Sequence, residues 1–102
     1  MSKTEIITKI KPNLKISEPP FYNVFYINDD VTTINFVVDS LMQYFNHNED
    51  TAVELTRNIH NEGKAVVATL PYEVAEQKGI EVTIDARKNG FPLEVQIKAD
   101  AA

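Results

Sequence analysis

The feature of this sequence that most constrains its fold is a change in hydrophobic periodicity at residues 28–30. Before that point, residues 21–27 read Phe-Tyr-Asn-Val-Phe-Tyr-Ile, a run rich in the aromatic and β-branched residues that suit a half-buried strand. After it, apolar residues recur at helical steps and predict one buried helix face: Ile34, Val37, Val38, Leu41 and Phe45. Because a strand and a helix bury their apolar faces against each other, this change indicates an α+β domain.

Caps and breaks predict the elements that follow. Thr32 is expected to cap the first helix, which should end near Asn46, and Asn48 offers a cap for a second helix. Gly63 suits the left-handed conformation that commonly ends a helix. Residues 64–70 then contain a continuous apolar run of strand length. The chain is therefore expected to continue through a second helix into a second strand.

Periodicity leaves the next segment open. Pro71 is tolerated in the first turn of a helix, and Ala75, Val82 and Ala86 fit one helical face. Residues 80–85, however, alternate apolar and polar side chains as a strand does. After the break at Asn89-Gly90, apolar and polar residues alternate again, which predicts a final strand with one wet face.

Taken as a helix, the open segment completes the order β-α-α-β-α-β. The expected architecture is a single small α+β domain in which a three-stranded, mostly antiparallel sheet packs against three helices. Residues 1–18 are polar and lead into paired prolines, so they are expected to form a flexible N-terminal extension to a core at residues 19–102.

Composition excludes several classes of function. The chain has 102 residues, no cysteine and a net charge of −5, so disulfides and thiolate metal sites are excluded. Without a basic stripe, binding to nucleic acid has no electrostatic driving force. Without a long apolar run, neither a signal peptide nor a membrane span is predicted, and a cytoplasmic location is expected. The glycines are isolated, so no phosphate-cradling loop and no cofactor are predicted.

Few residues are candidates for site chemistry. The acidic turn Asn28-Asp29-Asp30 lacks the glycine and distal glutamate of a calcium loop, and most such turns only cap helices or add solubility. His47 and His60 lack the i, i+4 spacing that would aim both at one metal. No nucleophile elbow is present. We therefore expect a binding module rather than an enzyme, with no catalytic and no metal-binding residues.

Three blocks of sequence resemble one family. Phe21-Tyr22-Asn23-Val24-Phe25-Tyr26-Ile27-Asn28-Asp29-Asp30 is similar to the first strand and turn of the ClpS adaptors of Clp proteases. Ile59-His60-Asn61-Glu62-Gly63-Lys64-Ala65 resembles the histidine and Gly-Lys-Ala segment of the same family. Tyr72-Glu73-Val74-Ala75-Glu76 resembles the start of its last helix. The resemblance covers roughly residues 19–98 and implies that residues 72–88 form a helix.

The resemblance implies an adaptor that binds proteins by bulky hydrophobic N-terminal residues (Leu, Phe, Tyr or Trp) and delivers them to a Clp AAA+ unfoldase and ClpP. It implies that Asn28, Asp29, Asp30 and His60 surround the N-terminal ammonium, with Asp29 also shaping the turn and His60 neutral so that it accepts a proton. It further implies a side-chain pocket formed by Thr32, Ile34, Val37, Thr56, Ile59 and Leu93. By the same resemblance, the N-terminal domain of a ClpA or ClpC type unfoldase would dock on Glu73, Glu76 and Lys78.

The sequence departs from the family at Ile34 and Thr56, and two alternative functions remain open. Many members have methionine where this chain has Ile34 and Thr56, so the preferred N-terminal residue is not predicted. One alternative is a non-catalytic interaction domain with the fold of the ribosomal stalk protein, in which Asn28, Asp30 and His60 would have no reason to converge. The other is a small acid-base or metal-dependent enzyme.

Overall fold

The structure is a computed structural model that describes residues 20–100, and the extension expected over residues 1–18 lies outside them. The predicted element order and the α+β class are confirmed. In chain order the elements are β1 (Phe21–Ile27), α1 (Ile34–Phe45), α2 (Glu49–Glu62), β2 (Lys64–Pro71), α3 (Tyr72–Lys88) and β3 (Glu94–Ala99).

The sheet has the strand order β2-β1-β3, and both pairings are antiparallel. Side chains of the central strand alternate between its two faces. Val24 and Tyr26 are completely buried beneath the helices. Phe25 lies on the opposite face, where the ammonium groups of Lys64 and Lys98 lie 5.4 and 5.6 Å from its ring centroid. Among residues 20–100, the helices therefore cover one face of the sheet, which builds the core, and the other face carries the two cations.

The caps of α1 and α2 differ from prediction at one position. Thr33, and not Thr32, caps α1: its hydroxyl oxygen accepts the backbone N–H of Phe36 at 3.1 Å. The prediction for Thr32 was wrong because the Thr32 hydroxyl instead donates to Asp29, within the turn. The predicted end of α1 near Asn46 and the predicted cap at Asn48 are confirmed, and the structure adds that Asn46 has a left-handed backbone.

The segment that periodicity left open is a helix of 17 residues. Its buried side is a stripe of small residues at steps of four, three and four, namely Ala75, Gly79, Val82 and Ala86. The residues that suggested a strand by alternation include Ile80 and Ile84, and both are half exposed. The helix forms because the small stripe lies close against the sheet: a β-carbon on Gly79 would already be in contact with Val95 and Ile97.

The core also contains one polar contact. The Tyr26 hydroxyl lies 2.8 Å from the Ser40 hydroxyl, and Ser40 donates to the Val37 carbonyl at 2.9 Å. Burial raises the pKa of Tyr26 well above its ordinary value. This contact ties the centre of the sheet to α1. Among the helices of residues 20–100, none is both long and apolar enough to cross a membrane.

Candidate ligand-binding pocket

The turn between β1 and α1 is held by a single carboxylate. Asp29 Oδ1 accepts the backbone N–H groups of Val31 at 2.8 Å and Thr32 at 2.7 Å, while Oδ2 accepts the Thr32 hydroxyl at 2.8 Å. Aspartate favours such turns because its short side chain reaches backbone donors two and three residues ahead. Both oxygens of Asp29 are thus engaged within the turn.

These contacts also set the charge state of Asp29. Burial of the carboxyl would by itself raise its pKa, but the hydrogen bonds from Thr32 and Val31, together with the charge of Arg87, hold the pKa below its ordinary value. Arg87 is fixed nearby because its Nη1 donates to the carbonyls of Phe91 and Leu93, each at 2.9 Å. The turn therefore carries a negative charge at neutral pH.

A backbone hydrogen bond brings the end of α2 to this turn. The N–H of Asn28 donates to the carbonyl of Gly63 at 2.8 Å, and the N–H of Gly63 donates to the Ile59 carbonyl at 3.0 Å. Gly63 has φ 88°, a left-handed conformation that glycine adopts at little cost. His60 is in the last turn of α2 and so lies beside a residue 32 positions earlier in the sequence. The carbonyl end of a helix also favours a cation over an anion.

Between the turn, α1 and α2 lies a pocket of about 270 Å³. Its floor includes Val37 and Ile59, which are 7% and 4% exposed. The Thr56 hydroxyl is already engaged with the helix backbone, since it donates to the Ala52 carbonyl at 2.7 Å. The full lining is Asn28, Asp29, Asp30, Thr32, Ile34, Val37, Thr56, Ile59 and His60.

The structure thus brings together nine of the ten residues predicted for the amine and side-chain sites, all except Leu93. Leu93 is 1% exposed and lines a small adjoining cavity of about 20 Å³, which it shares with Val37, Ile59 and the turn. Ile34, by contrast, is 67% exposed and lies at the mouth of the pocket. The pocket therefore has a buried end near Leu93 and an apolar lip at Ile34.

The polar rim of the pocket carries hydrogen-bond acceptors that the rest of residues 20–100 leaves unused. Within the described part of the chain, the side chains of Asn28, Asp30 and His60 form no hydrogen bond with another protein group. Asp29 differs from them because its oxygens already accept three hydrogen bonds. The rim can therefore accept hydrogen bonds from a ligand through the side-chain oxygens of Asn28 and Asp30 and an unprotonated ring nitrogen of His60, while Asp29 holds the turn in place.

The residues predicted for docking lie on α3, away from the pocket. Glu73 and Glu76 are exposed, and Glu76 Oε2 accepts the Tyr72 hydroxyl at 3.1 Å. Lys78 is partly buried, with its Nζ 4.0 Å from Glu81 Oε1. At about 100° per residue, Lys78 lies roughly 140° around the helix axis from Glu73. The three residues therefore do not share one face of the helix.

Sequence reasoning missed four residues near the pocket. Ile27, the last residue of β1, lines the small cavity beside Leu93. Val38, Val53 and Arg57 line a second depression next to the pocket. Val53 could have been noticed in the sequence, because it is an apolar residue three positions before Thr56 in a largely polar helix. Ile27 carried no such signal.

The fold and this pocket define a class of protein: a small α+β domain with an apolar pocket between two helices and hydrogen-bond acceptors at one end of that pocket. The family model of the ATP-dependent Clp protease adaptor protein ClpS matches residues 17–96. The chain therefore belongs to the ClpS family of Clp protease adaptor proteins.

Individual relatives agree with this assignment. The chain is 43% identical to a ClpS adapter of Wolinella succinogenes over 86 residues, which is 84% of each chain. It is 39% identical to the ClpS adapter of Clostridium acetobutylicum over 93 residues, covering 91% of this chain and 92% of that one. A solved structure of Agrobacterium tumefaciens ClpS2 bound to L-phenylalaninamide is similar with a TM-score of 0.79 and 34% identity, covering 81% of this chain and all of the other.

Proposed function

We propose that this protein binds other proteins by a bulky hydrophobic N-terminal residue, of the Leu, Phe, Tyr or Trp class, and delivers them to a Clp AAA+ unfoldase and ClpP for degradation. The observation that carries the proposal is the apolar pocket with Asn28, Asp30 and His60 along its rim, whose side chains accept no hydrogen bond from another group of residues 20–100. Such a pocket suits a ligand in which a group with several hydrogen-bond donors is attached beside an apolar side chain. A free N-terminal residue has that form.

The rim suits an ammonium group for two reasons. An α-ammonium has three donors and no acceptor, so it needs acceptors in three directions. Asn28, Asp30 and a neutral His60 supply them, and the carboxylate of Asp30 makes one of these hydrogen bonds charge-assisted. An acetylated N-terminus has a single donor and no charge. We therefore expect the pocket to bind a free N-terminus much more tightly than an acetylated one.

The volume of the pocket limits what it holds. At about 270 Å³ it lies just below the roughly 300 Å³ at which pockets for drug-sized ligands begin. One large side chain and its amine are of a suitable size. Burying that side chain contributes about 1.5 to 3 kcal/mol and a charge-assisted hydrogen bond contributes about the same, so neither exceeds the cost of association alone. Both parts of the N-terminal residue are therefore needed.

The ligand of the ClpS2 structure supports this choice. L-phenylalaninamide has a free α-amine, an aromatic side chain and an uncharged amide where a peptide chain would continue. It is chemically a minimal N-terminal phenylalanine. Because this chain is 34% identical to ClpS2 and has the same fold, we infer that it takes the same class of ligand.

Delivery requires a second surface and a partner. We propose that Glu73 and Glu76, which are three residues apart on α3, contact the N-terminal domain of a ClpA or ClpC type unfoldase in the cytoplasm, whereas Lys78 lies on another side of the helix. Membership of a Clp adaptor family and the exposure of Glu73 and Glu76 support this surface. Binding to the unfoldase domain should weaken in Glu73→Lys and Glu76→Lys but not in Glu62→Lys, an exposed position on α2. Equal binding by all three variants would rule this surface out.

The test of ligand binding is a titration of short peptides that begin with Phe, each made with a free and an acetylated N-terminus. We expect the free peptide to bind and acetylation to weaken binding by at least tenfold. His60→Ala should weaken binding of the free peptide, whereas Asn58→Ala, an exposed position on the same helix, should not. Equal binding of free and acetylated peptides would contradict the proposed function.

A further inference from the structure

A second depression adjoins the proposed N-terminal residue pocket. It is a groove of about 250 Å³ between α1 and α2, and three of its lining residues, Ile34, Thr56 and His60, also line the pocket. These shared residues form the wall between the two depressions. The other lining residues of the groove are Val38, Val53 and Arg57.

The groove is apolar although it lies on the outside of two helices. All the surface that it exposes comes from apolar atoms, even where Arg57 and His60 contribute to its lining. Arg57 can line an apolar surface because the stem of its side chain is hydrocarbon while the guanidinium reaches water. Ile34 is 67% exposed and Val53 is 38% exposed. Two apolar side chains of the groove, those of Ile34 and Val53, are thus exposed to water.

The position of the groove indicates what covers it. Once the N-terminal residue fills the pocket, the rest of the polypeptide must leave through the pocket mouth, where Ile34 forms the lip. In an extended peptide successive residues advance about 3.3 Å and their side chains alternate in direction, so the residues just behind the first one pass within reach of the groove. Because Ile34, Thr56 and His60 line both depressions, the two adjoin along one surface between α1 and α2.

We propose that this groove binds an aliphatic side chain at the second or third position of the substrate, so that the protein reads more than the N-terminal residue. The proposal rests on the proposed function, because it places the substrate by its first residue. It specifies the substrate class further: N-terminal segments with a bulky first residue followed closely by Leu, Ile, Val or Met. Polar side chains at both positions leave Val38, Val53 and Ile34 exposed to water.

The test uses three peptides that differ only behind the first residue: Phe-Leu-Ser, Phe-Ser-Leu and Phe-Ser-Ser, each extended by the same polar tail. We expect leucine at one of the two positions to tighten binding by about threefold to tenfold over the serine peptide, because one partly exposed side chain leaves water. No gain at either position would overturn the proposal.

A variant separates the groove from the pocket. Val53 lines the groove and not the pocket, and it is exposed on a helix, so Val53→Ser should fold. We expect Val53→Ser to abolish the gain from leucine and to bind Phe-Ser-Ser as the unchanged protein does. Glu54→Ser, at the neighbouring exposed position outside the groove, should retain the gain. A gain that survives Val53→Ser would also overturn the proposal.

The two proposals fail in different ways. If free and acetylated Phe-Ser-Ser bind equally, the proposed function fails, whatever leucine does. If free Phe-Ser-Ser binds more tightly than its acetylated form but leucine adds nothing, the proposed function stands and the groove proposal alone fails.

Discussion

Asp29 accepts both the backbone N–H and the hydroxyl of Thr32, at 2.7 and 2.8 Å, so that one carboxylate closes the turn that leads into α1. Its neighbour Asp30 also lines the pocket but has no such contacts within residues 20–100. The two adjacent acids therefore do different things. Asp29 shapes the site, and Asp30 leaves its charge available to a ligand.

Replacing Asp29 and Asp30 with asparagine, one at a time, should separate the effect on stability from the effect on binding. Asp29→Asn should destabilise the fold by about 1 kcal/mol, as loss of a comparable capping interaction does, because charge-assisted contacts to the turn are weakened. Asp30→Asn should leave the stability unchanged and weaken binding of a free N-terminal amine. Urea unfolding and peptide titration on both variants measure the two properties. Equal loss of stability in both variants would contradict the assignment.

The Asp29 turn should also make stability depend on pH. Because the pKa of Asp29 is lower in the folded protein than its ordinary value, its contribution to stability is fully present above the unfolded-state pKa of about 3.9. The contribution is lost as the pH falls through the lowered folded-state pKa. The difference in urea midpoint between the unchanged protein and Asp29→Asn should therefore be constant near neutral pH and shrink in strong acid. A difference that grows on acidification would have the wrong sign.

Ile34 should matter for binding and little for folding. It is 67% exposed at the pocket mouth, so Ile34→Ala removes few buried contacts in the free protein. A bound side chain would cover it, and we expect Ile34→Ala to weaken binding of Phe-initiated peptides by about fivefold to tenfold. Ile84→Ala is the matched control, since Ile84 is 53% exposed on α3, away from the pocket. Loss of binding in both variants would show a general effect.

The backbone conformation of Gly63 should affect both the stability of the fold and the binding of peptides. Its left-handed φ of 88° strains any other residue, and its carbonyl accepts the Asn28 N–H at the pocket rim. Gly63→Ala should cost about 1 kcal/mol of stability and also weaken peptide binding. Gly90 has φ 79° and likewise no atom where a β-carbon would be placed, so Gly90→Ala should cost a similar amount without affecting binding. Unfolding and titration of the pair test the distinction.

Substitution of Tyr26 tests whether a hydrogen bond in the core beneath the pocket affects stability, binding or both. Its hydroxyl contacts Ser40 in the core, which joins the centre of the sheet to the helix that carries Ile34 and Val37. Tyr26→Phe should lower the free energy of unfolding by about 0.5 to 1.5 kcal/mol. Because Ser40 keeps its bond to the Val37 carbonyl, the helix should stay in place and binding should change little. A large loss of binding would indicate that the contact also positions α1.

Local chemistry made most of the fold predictable. Asn48 begins α2 and Gly63 ends it, because asparagine is a favoured N-cap and glycine adopts the left-handed backbone at little cost. The cap of α1 was misplaced by one residue, since Thr32 and Thr33 are equivalent in sequence and only the reach of Asp29 distinguishes them. Periodicity could not decide residues 72–88, where a stripe of small residues is weakly apolar and becomes a helix face only through packing on the sheet.

The sequence by itself determined every element except α3, and also the chemistry available at residues 28–30 and His60, because these follow from residue type and near spacing. The tertiary structure alone decided that distant groups meet. The bond from Asn28 to Gly63 joins the end of β1 to the end of α2, and it brings His60 to the acidic turn. The pocket, its exposed lip at Ile34 and the groove beside it depend on the packing of α1 against α2, since contacts between elements distant in the chain leave no periodic trace in the sequence.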